Sequence, residues 1–225
     1  MEDIINNPLF GISLTLISFQ IGSIIYKKVK SPLCSPFVLS IIFIISFLLI
    51  FKIPYNSYKK GGDIINMLLA PATAGLAISM YHKLKIIKKN FLPIIISTFV
   101  GSLVSIISII IMCKLFNLDD KTTFALVPKS VTVPIAMDLA EKTGGTIPIT
   151  ITAVCITGIL GAILSPFLIK VFKAKNPVSI GLAMGTSSHG IGTSKAIEMG
   201  ETEGALSGIS IGLAGIMTVI IYLFI

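Results

Sequence analysis

Val127-Pro128-Lys129-Ser130-Val131-Thr132-Val133-Pro134-Ile135-Ala136-Met137-Asp138 sets a lysine between two prolines in a chain that is otherwise rich in apolar residues. A charge in a bilayer core costs roughly 2.5–3.5 kcal/mol even on lenient insertion scales, so one that stays there is paired, wetted or in use. Each proline also removes a backbone donor and interrupts a helix, leaving peptide groups that protein, water or a ligand must satisfy. The stretch predicts a broken helix and marks a candidate solute site.

That reading needs a membrane, and the rest of the chain supplies one. Of 225 residues, 54% are hydrophobic and 12% charged, against roughly 25% charged in soluble domains, and the mean hydropathy is +0.96. Uncharged stretches at 8–26, 32–51, 64–81, 90–113, 143–169, 176–194 and 204–225 are near the roughly 20 helical residues needed to cross a hydrocarbon core. The expected fold is all-α, a polytopic integral membrane protein of about 7–8 membrane segments. Broken or re-entrant helices are expected near 122–142 and 176–198, all within a single domain over 1–225. The first stretch lacks a basic n-region and a small-residue cleavage site, and is expected to stay as a membrane helix.

Net charge is +8 and all 18 basic residues are lysines, gathered mainly in short clusters between apolar stretches. This suits cytoplasmic loops of a bacterial plasma-membrane protein better than nucleic-acid binding. With the N-terminus outside, Lys27, Lys28 and Lys30 fall inside, as do Lys83, Lys85, Lys88 and Lys89. Asp119, Asp120 and Lys121 then lie outside. Lys170, Lys173 and Lys175 return inside only if the Lys129 segment dips in and comes back; Lys52, Lys59 and Lys60 fit this scheme less well. Cys34, Cys113 and Cys155 show no metal-ligand spacing, so neither a metal nor a cofactor is expected. GxSxG and HExxH are absent, and no enzyme activity is expected.

A second unusual stretch, Met184-Gly185-Thr186-Ser187-Ser188-His189-Gly190-Ile191-Gly192-Thr193-Ser194, sets glycines, hydroxyls and a histidine inside an apolar run. Gly190 and Gly192 suit a helix break, and amides of a restarting helix favour an anion; close packing through small residues is the alternative. Ser187, Ser188, Thr193 and Ser194 add donors. His189 reads either as a proton carrier or as a hydrogen-bonded core residue. Lys129, with Ser130 and Thr132, suits a carboxylate, and its rival readings are an ion pair with Asp138, Glu198, Glu201 or Glu203 and snorkelling to the interface. Asp138 and Glu198 are the candidates for coupling or gating. A shift of 57 positions aligns Leu69, Pro71, Ile78, Met80, Ile94 and Gly101 with Leu126, Pro128, Ile135, Met137, Ile151 and Gly158, so Pro71 marks either another break or a simple kink.

Leu126 to Ala136, Ser188 to Thr193, and Glu201-Thr202-Glu203-Gly204-Ala205-Leu206-Ser207 together resemble the LrgB/CidB family of bacterial membrane proteins, over nearly the whole chain. Val133 stands where relatives often carry a threonine, so one hydroxyl contact is missing. The resemblance implies two accounts. One is an antiholin-like role with a small LrgA- or CidA-like membrane partner, modulating murein hydrolase activity and autolysis. The other is transport of small monocarboxylates such as pyruvate or glycolate, with Lys129, Ser130, Thr132, Ser187, Ser188, His189 and Thr193 as the expected contacts. Homo-oligomerisation is left open by either account.

Overall fold

The structure is a computed structural model in which residues 5–29, 34–68, 71 and 81–224 are described. Among them there is no strand, and contacts gather the chain into two compact units, Met1–Gly75 and Leu76–Ile225. Among the described residues four helices are long and apolar enough to cross a membrane, Pro8–Val29, Phe91–Leu115, Ile147–Val171 and Glu201–Tyr222, while Pro36–Ile50 is apolar but shorter. The chain is a multi-pass membrane protein. The expected segment at 64–81 falls largely outside the described residues, as do Leu69, Ile78 and Met80 of the internal echo; Pro71 is helical and exposed.

In the first unit, α1 (Pro8–Val29) packs on α2 (Pro36–Ile50) and α3 (Tyr55–Met67). Gly11 and Gly61 bring α1 and α3 so close that a Cβ on either would strike the backbone of the other helix. Small residues at such crossings let membrane helices gain van der Waals contact. A hydrogen bond of 3.0 Å between Thr15 Oγ1 and Tyr58 OH fixes the register.

The second unit holds α4 (Leu84–Lys89), α5 (Phe91–Leu115), α6 (Asp120–Leu126), α7 (Val133–Thr143), α8 (Ile147–Val171), α9 (Pro177–Met199) and α10 (Glu201–Tyr222). Half of α10's apolar window is buried, against 17–22% in the other candidate spans, so α10 is the central post. The outer faces of α5 and α8 expose Val104, Ile107 and Ile111, and Leu160, Leu164 and Phe167, as lipid-facing helices do.

Between these spans lie two helical hairpins. In the first, α6 leads into a turn at 127–132, and α7 returns with Pro134 in its first turn and stops at Gly144, φ 79°, a glycine cap of the left-handed kind. The legs run antiparallel, since Val127 packs with Leu139 and Gly145 lies against the backbone of Phe124 and Ala125. The second hairpin is α9 itself, which folds at His189, φ 41° and ψ −139°. Before the fold, Gly181 abuts Glu203 and Leu206 and Gly185 abuts Ser207 and Ser210, so 177–188 runs parallel to α10. After it, Thr193 meets Ser207 and Ile197 meets Gly204, so 190–199 runs antiparallel. Ile180 and Met184 pack on Ala196 across the fold. At 1.5 Å per residue these legs are about 18 and 15 Å long, each about half of a roughly 30 Å hydrocarbon core.

The spans that precede the hairpins point in opposite directions. α5 starts at the foot of the second hairpin, where Ile94 packs with Leu182 and Leu206, and ends towards Val127 and Tyr222, which Ile106 contacts. α8 runs the other way, from Val154 beside Val131 to Ile169 beside Ile180. The 57-residue echo follows this arrangement: Gly101 of α5 shifts to Gly158 of α8 (158 − 101 = 57) and Thr132 of the first tip shifts to His189 of the second (189 − 132 = 57).

Candidate functional site at the paired hairpin tips

Pro128 has no N–H to offer the carbonyl of Phe124, four residues back. The Tyr222 hydroxyl, at the end of α10, donates to that oxygen at 3.2 Å, so the break is satisfied by a side chain. Beyond the turn, Lys129 Nζ donates to Ser130 Oγ at 3.2 Å, and Ser130 Oγ shares a 2.8 Å bond with Ser105 Oγ of α5. Lys129 is half-buried, and among the described residues no carboxylate lies within ion-pair distance of it. Ion pairs form instead between Lys83 and Glu201 at 2.9 Å and between Lys195 and Glu198 at 2.7 Å. The ion-pair reading of Lys129 is not the arrangement found.

At the second tip, His189 adopts a positive φ that costs a residue other than glycine about 1–3 kcal/mol. Its surroundings hold it there. Val154 O of α8 lies 2.9 Å from Nε2; a carbonyl only accepts, so Nε2 carries the proton and donates. The Thr193 hydroxyl donates to His189 O at 3.0 Å, which leaves Ser207 as the donor in the 2.7 Å bond between Ser207 Oγ and Thr193 Oγ1. Two glycines of α8 make room: a Cβ at Gly158 would come within 2.7 Å of the His189 ring, and one at Gly161 would overlap the Ser188 side chain.

The tips converge on α8, where Val131 packs against the Val154 side chain and His189 binds its carbonyl. Beside this point is a cavity of about 10 Å³ whose walls include Ser102 and Ser105 of α5, Pro128 and Ser130 of the first tip, Thr186 of the second hairpin and Thr218 of α10. That volume admits one water-sized atom. Ser102 Oγ is buried there with no hydrogen-bond partner among the described residues, a deficit worth about 1–3 kcal/mol. No acidic side chain lines the cavity, and the charge bonded to its wall is the Lys129 ammonium. Each tip presents one helix C-terminus and one N-terminus, so their dipoles oppose. Lys129 is therefore the formal charge bonded to the cavity wall, and its sign is the one that would complement an anion.

Of the residues singled out in the sequence, Lys129, Ser130 and Thr132 share the first tip, and Ser130 lines the cavity. Ser188, His189, Gly192 and Thr193 are buried in the second hairpin, whereas Gly190 is exposed, as is Ser187, which bonds Ser188 Oγ at 3.0 Å. Pro134, Asp138 and Glu198 are exposed on the returning legs, and Glu198 is held by Lys195. Sequence reasoning missed Ser102, Ser105 and Thr218. A signal existed: Thr98, Ser102 and Ser105 recur at the spacing that puts hydroxyls on one helix face.

Spanning helices joined by two hairpins that meet at a buried polar point define a multi-pass, broken-helix membrane protein. The chain belongs to the LrgB-like family, whose model matches residues 15–225, as the motifs at 126–136 and 188–193 implied. It is 37% identical over 216 residues to the antiholin-like protein LrgB of Bacillus subtilis (strain 168), covering 96% of this chain and 94% of that relative. It is 35% identical over 210 residues to the uncharacterized protein YwbG of the same organism, covering 93% of each. The antiholin-like protein LrgB of Bacillus cereus (strain B4264) is 34% identical over 215 residues, covering 95% of this chain and 94% of that relative. No solved structure matches the chain.

Proposed function

We propose that this chain is a carrier, not an enzyme, and moves small monocarboxylates of the pyruvate or glycolate kind across the membrane. The observation that carries this reading is Lys129, a half-buried ammonium at a helix break whose bonded partner is a hydroxyl. Inside a bilayer such a charge calls for a counter-charge, and a substrate carboxylate supplies it. Opposed span-and-hairpin units with broken helices meeting midway are also how many secondary transporters alternate access to a central site. Reconstituted protein is expected to take up labelled pyruvate saturably while retaining a trapped dye. Dye release, or uptake that never saturates, overturns the carrier.

The lysines orient it. Lys83, Lys170, Lys173 and Lys175 belong to the end where α5 starts and α8 finishes, so that end is cytoplasmic by the positive-inside rule, and both hairpins are re-entrant within the 7–8 membrane segments. Cysteines placed at Lys173 and Glu141 should label from opposite sides, and labelling from one side rejects the scheme. His189 is the coupling candidate: a His189→Gln variant should flatten the pH profile of uptake, and an unchanged profile removes the proton role. Asp138 and Glu198 are assigned to gating. A small LrgA- or CidA-like membrane protein is the proposed partner, to be sought by co-purification from membranes.

The antiholin-like names of two relatives favour a second reading, an antiholin-like role, which the family resemblance connects with control of murein hydrolase activity and autolysis. Deleting the gene and measuring autolysis beside pyruvate uptake separates the two. Altered autolysis with uptake intact supports the regulator.

A further inference from the structure

Ser102 is 3% exposed, its hydroxyl has no partner among the described residues, and it lines the cavity between the tips. One turn earlier, Thr98 Oγ1 is also buried and unpartnered but does not line that cavity. Of the wall's other hydroxyls, Ser105 and Ser130 share a 2.8 Å bond and Ser130 also accepts from Lys129, and neither Thr186 nor Thr218 is fully buried and unpartnered as Ser102 is. Ser102 thus keeps a free donor facing a space sized for one oxygen atom. Gly101 draws α9 in beside it, since a Cβ there would come within 2.8 Å of Thr186 Cγ2.

Charge decides which atom belongs there. With no acid in the wall, a metal cation would face the Lys129 ammonium without a counter-charge, whereas an anionic oxygen gains from the ammonium and from the free hydroxyl. We propose that the cavity beneath Ser102 is a one-oxygen subsite in which Ser102 donates directly to one carboxylate oxygen of the transported anion. The inference rests on the carrier reading above. It also names a specificity: with one oxygen in the space, a planar carboxylate leaves a single oxygen to be accommodated outside it, whereas a tetrahedral phosphonate head leaves two and the bulkier head.

The test is uptake of labelled pyruvate by the full chain in proteoliposomes, with acetylphosphonate as competitor. Ser102→Ala should raise KM at least fivefold and hold the maximal rate within twofold. Thr98→Ala, which removes an equally buried hydroxyl outside the cavity, should leave KM unchanged. Acetylphosphonate should compete at least tenfold more weakly than unlabelled pyruvate. If Ser102→Ala does not assemble, Ser102→Cys keeps the volume, replaces the donor with a weak one, and should raise KM in the same way. An unchanged KM in the Ser102 variant, or equal increases in the Ser102 and Thr98 variants, overturns the subsite while the carrier stands. Equal competition by acetylphosphonate also overturns it. Absence of saturable uptake by the wild-type chain removes the carrier and the subsite together.

Discussion

The first tip turns at Pro128 with a lysine beside it and no positive φ between 127 and 132, whereas the second turns at His189, without a proline, at φ 41°. Pro128 makes its break from within, by lacking a donor and excluding its own ring from a continued helix. His189 gains nothing from its conformation. Its break is imposed from α8, by the Val154 carbonyl that takes the Nε2 proton and by Gly158 and Gly161, which leave space for the folded chain. A break encoded by proline leaves nearby polar groups available to a solute, while a break held by neighbours uses its polar groups for support. On this contrast His189 has an architectural task, and Lys129 is the group that the proposed function assigns to the solute.

The contrast breaks most visibly at Gly161. In Gly161→Val the added atoms fall on the Ser188 side chain, where both backbones are fixed by the fold of α9. Overpacking costs typically about 1–3 kcal/mol and occasionally more. At about 2–4 °C per kcal/mol for a chain of this length, the melting temperature in detergent should fall by roughly 5–10 °C. A value close to wild type would mean that α8 does not hold the second tip.

Lys129→Ala should do the reverse, harming transport and sparing the fold. A hydrogen bond to a charged group is worth about 1.5–3 kcal/mol, and each 1.4 kcal/mol is about tenfold, so uptake efficiency should drop tenfold or more. The melting temperature should hold or rise, because removing a half-buried ammonium without a counter-charge relieves desolvation. Lys129→Arg should also lose uptake, since the planar guanidinium does not replace a compact ammonium in a small site. Full uptake in either variant separates Lys129 from the substrate.

These two tips were legible in the sequence because each departs from what lipid tolerates. Pro128-Lys129 and the hydroxyl-rich run around His189 are both conspicuous against an apolar background, and the lysine clusters gave a reason to expect that one segment returns. The supporting partners were not legible. Ser102 in α5 looks like any membrane-helix serine bonding its own backbone, and only the packed structure leaves its hydroxyl unpartnered. Gly158 entered the internal echo as a match, but its task, clearing space for the His189 ring, depends on a contact between residues 31 positions apart (189 − 158 = 31). The break in α9 is expected near 176–198 from Gly190 and Gly192, and the structure sets the turn itself one residue earlier, at His189.

A paired substitution at 189 isolates the imposed strain. His189→Ala and His189→Gly both delete the bond to Val154, but only glycine accepts the positive φ at no steric cost. If the neighbours force the turn, the glycine variant should be the more stable by about 1 kcal/mol or more, which is roughly 2–4 °C in melting temperature. Equal melting temperatures would show that the turn carries no strain, and the second tip would then resemble the first.

The smallest effect concerns how the first break is satisfied. Tyr222→Phe removes the donor that reaches Phe124 O, leaving a half-buried carbonyl unmet at a cost of about 1 kcal/mol. Pro128→Ala restores an N–H at the position that a continuous helix would use to serve that same oxygen. In the Pro128→Ala background, Tyr222→Phe should therefore cost much less than it does alone, and a double-mutant cycle reads the difference as a coupling of about 1 kcal/mol. Strictly additive losses would mean that Tyr222 packs against the first hairpin without serving its break, and that the carbonyl freed by Pro128 is served by other groups near the tip.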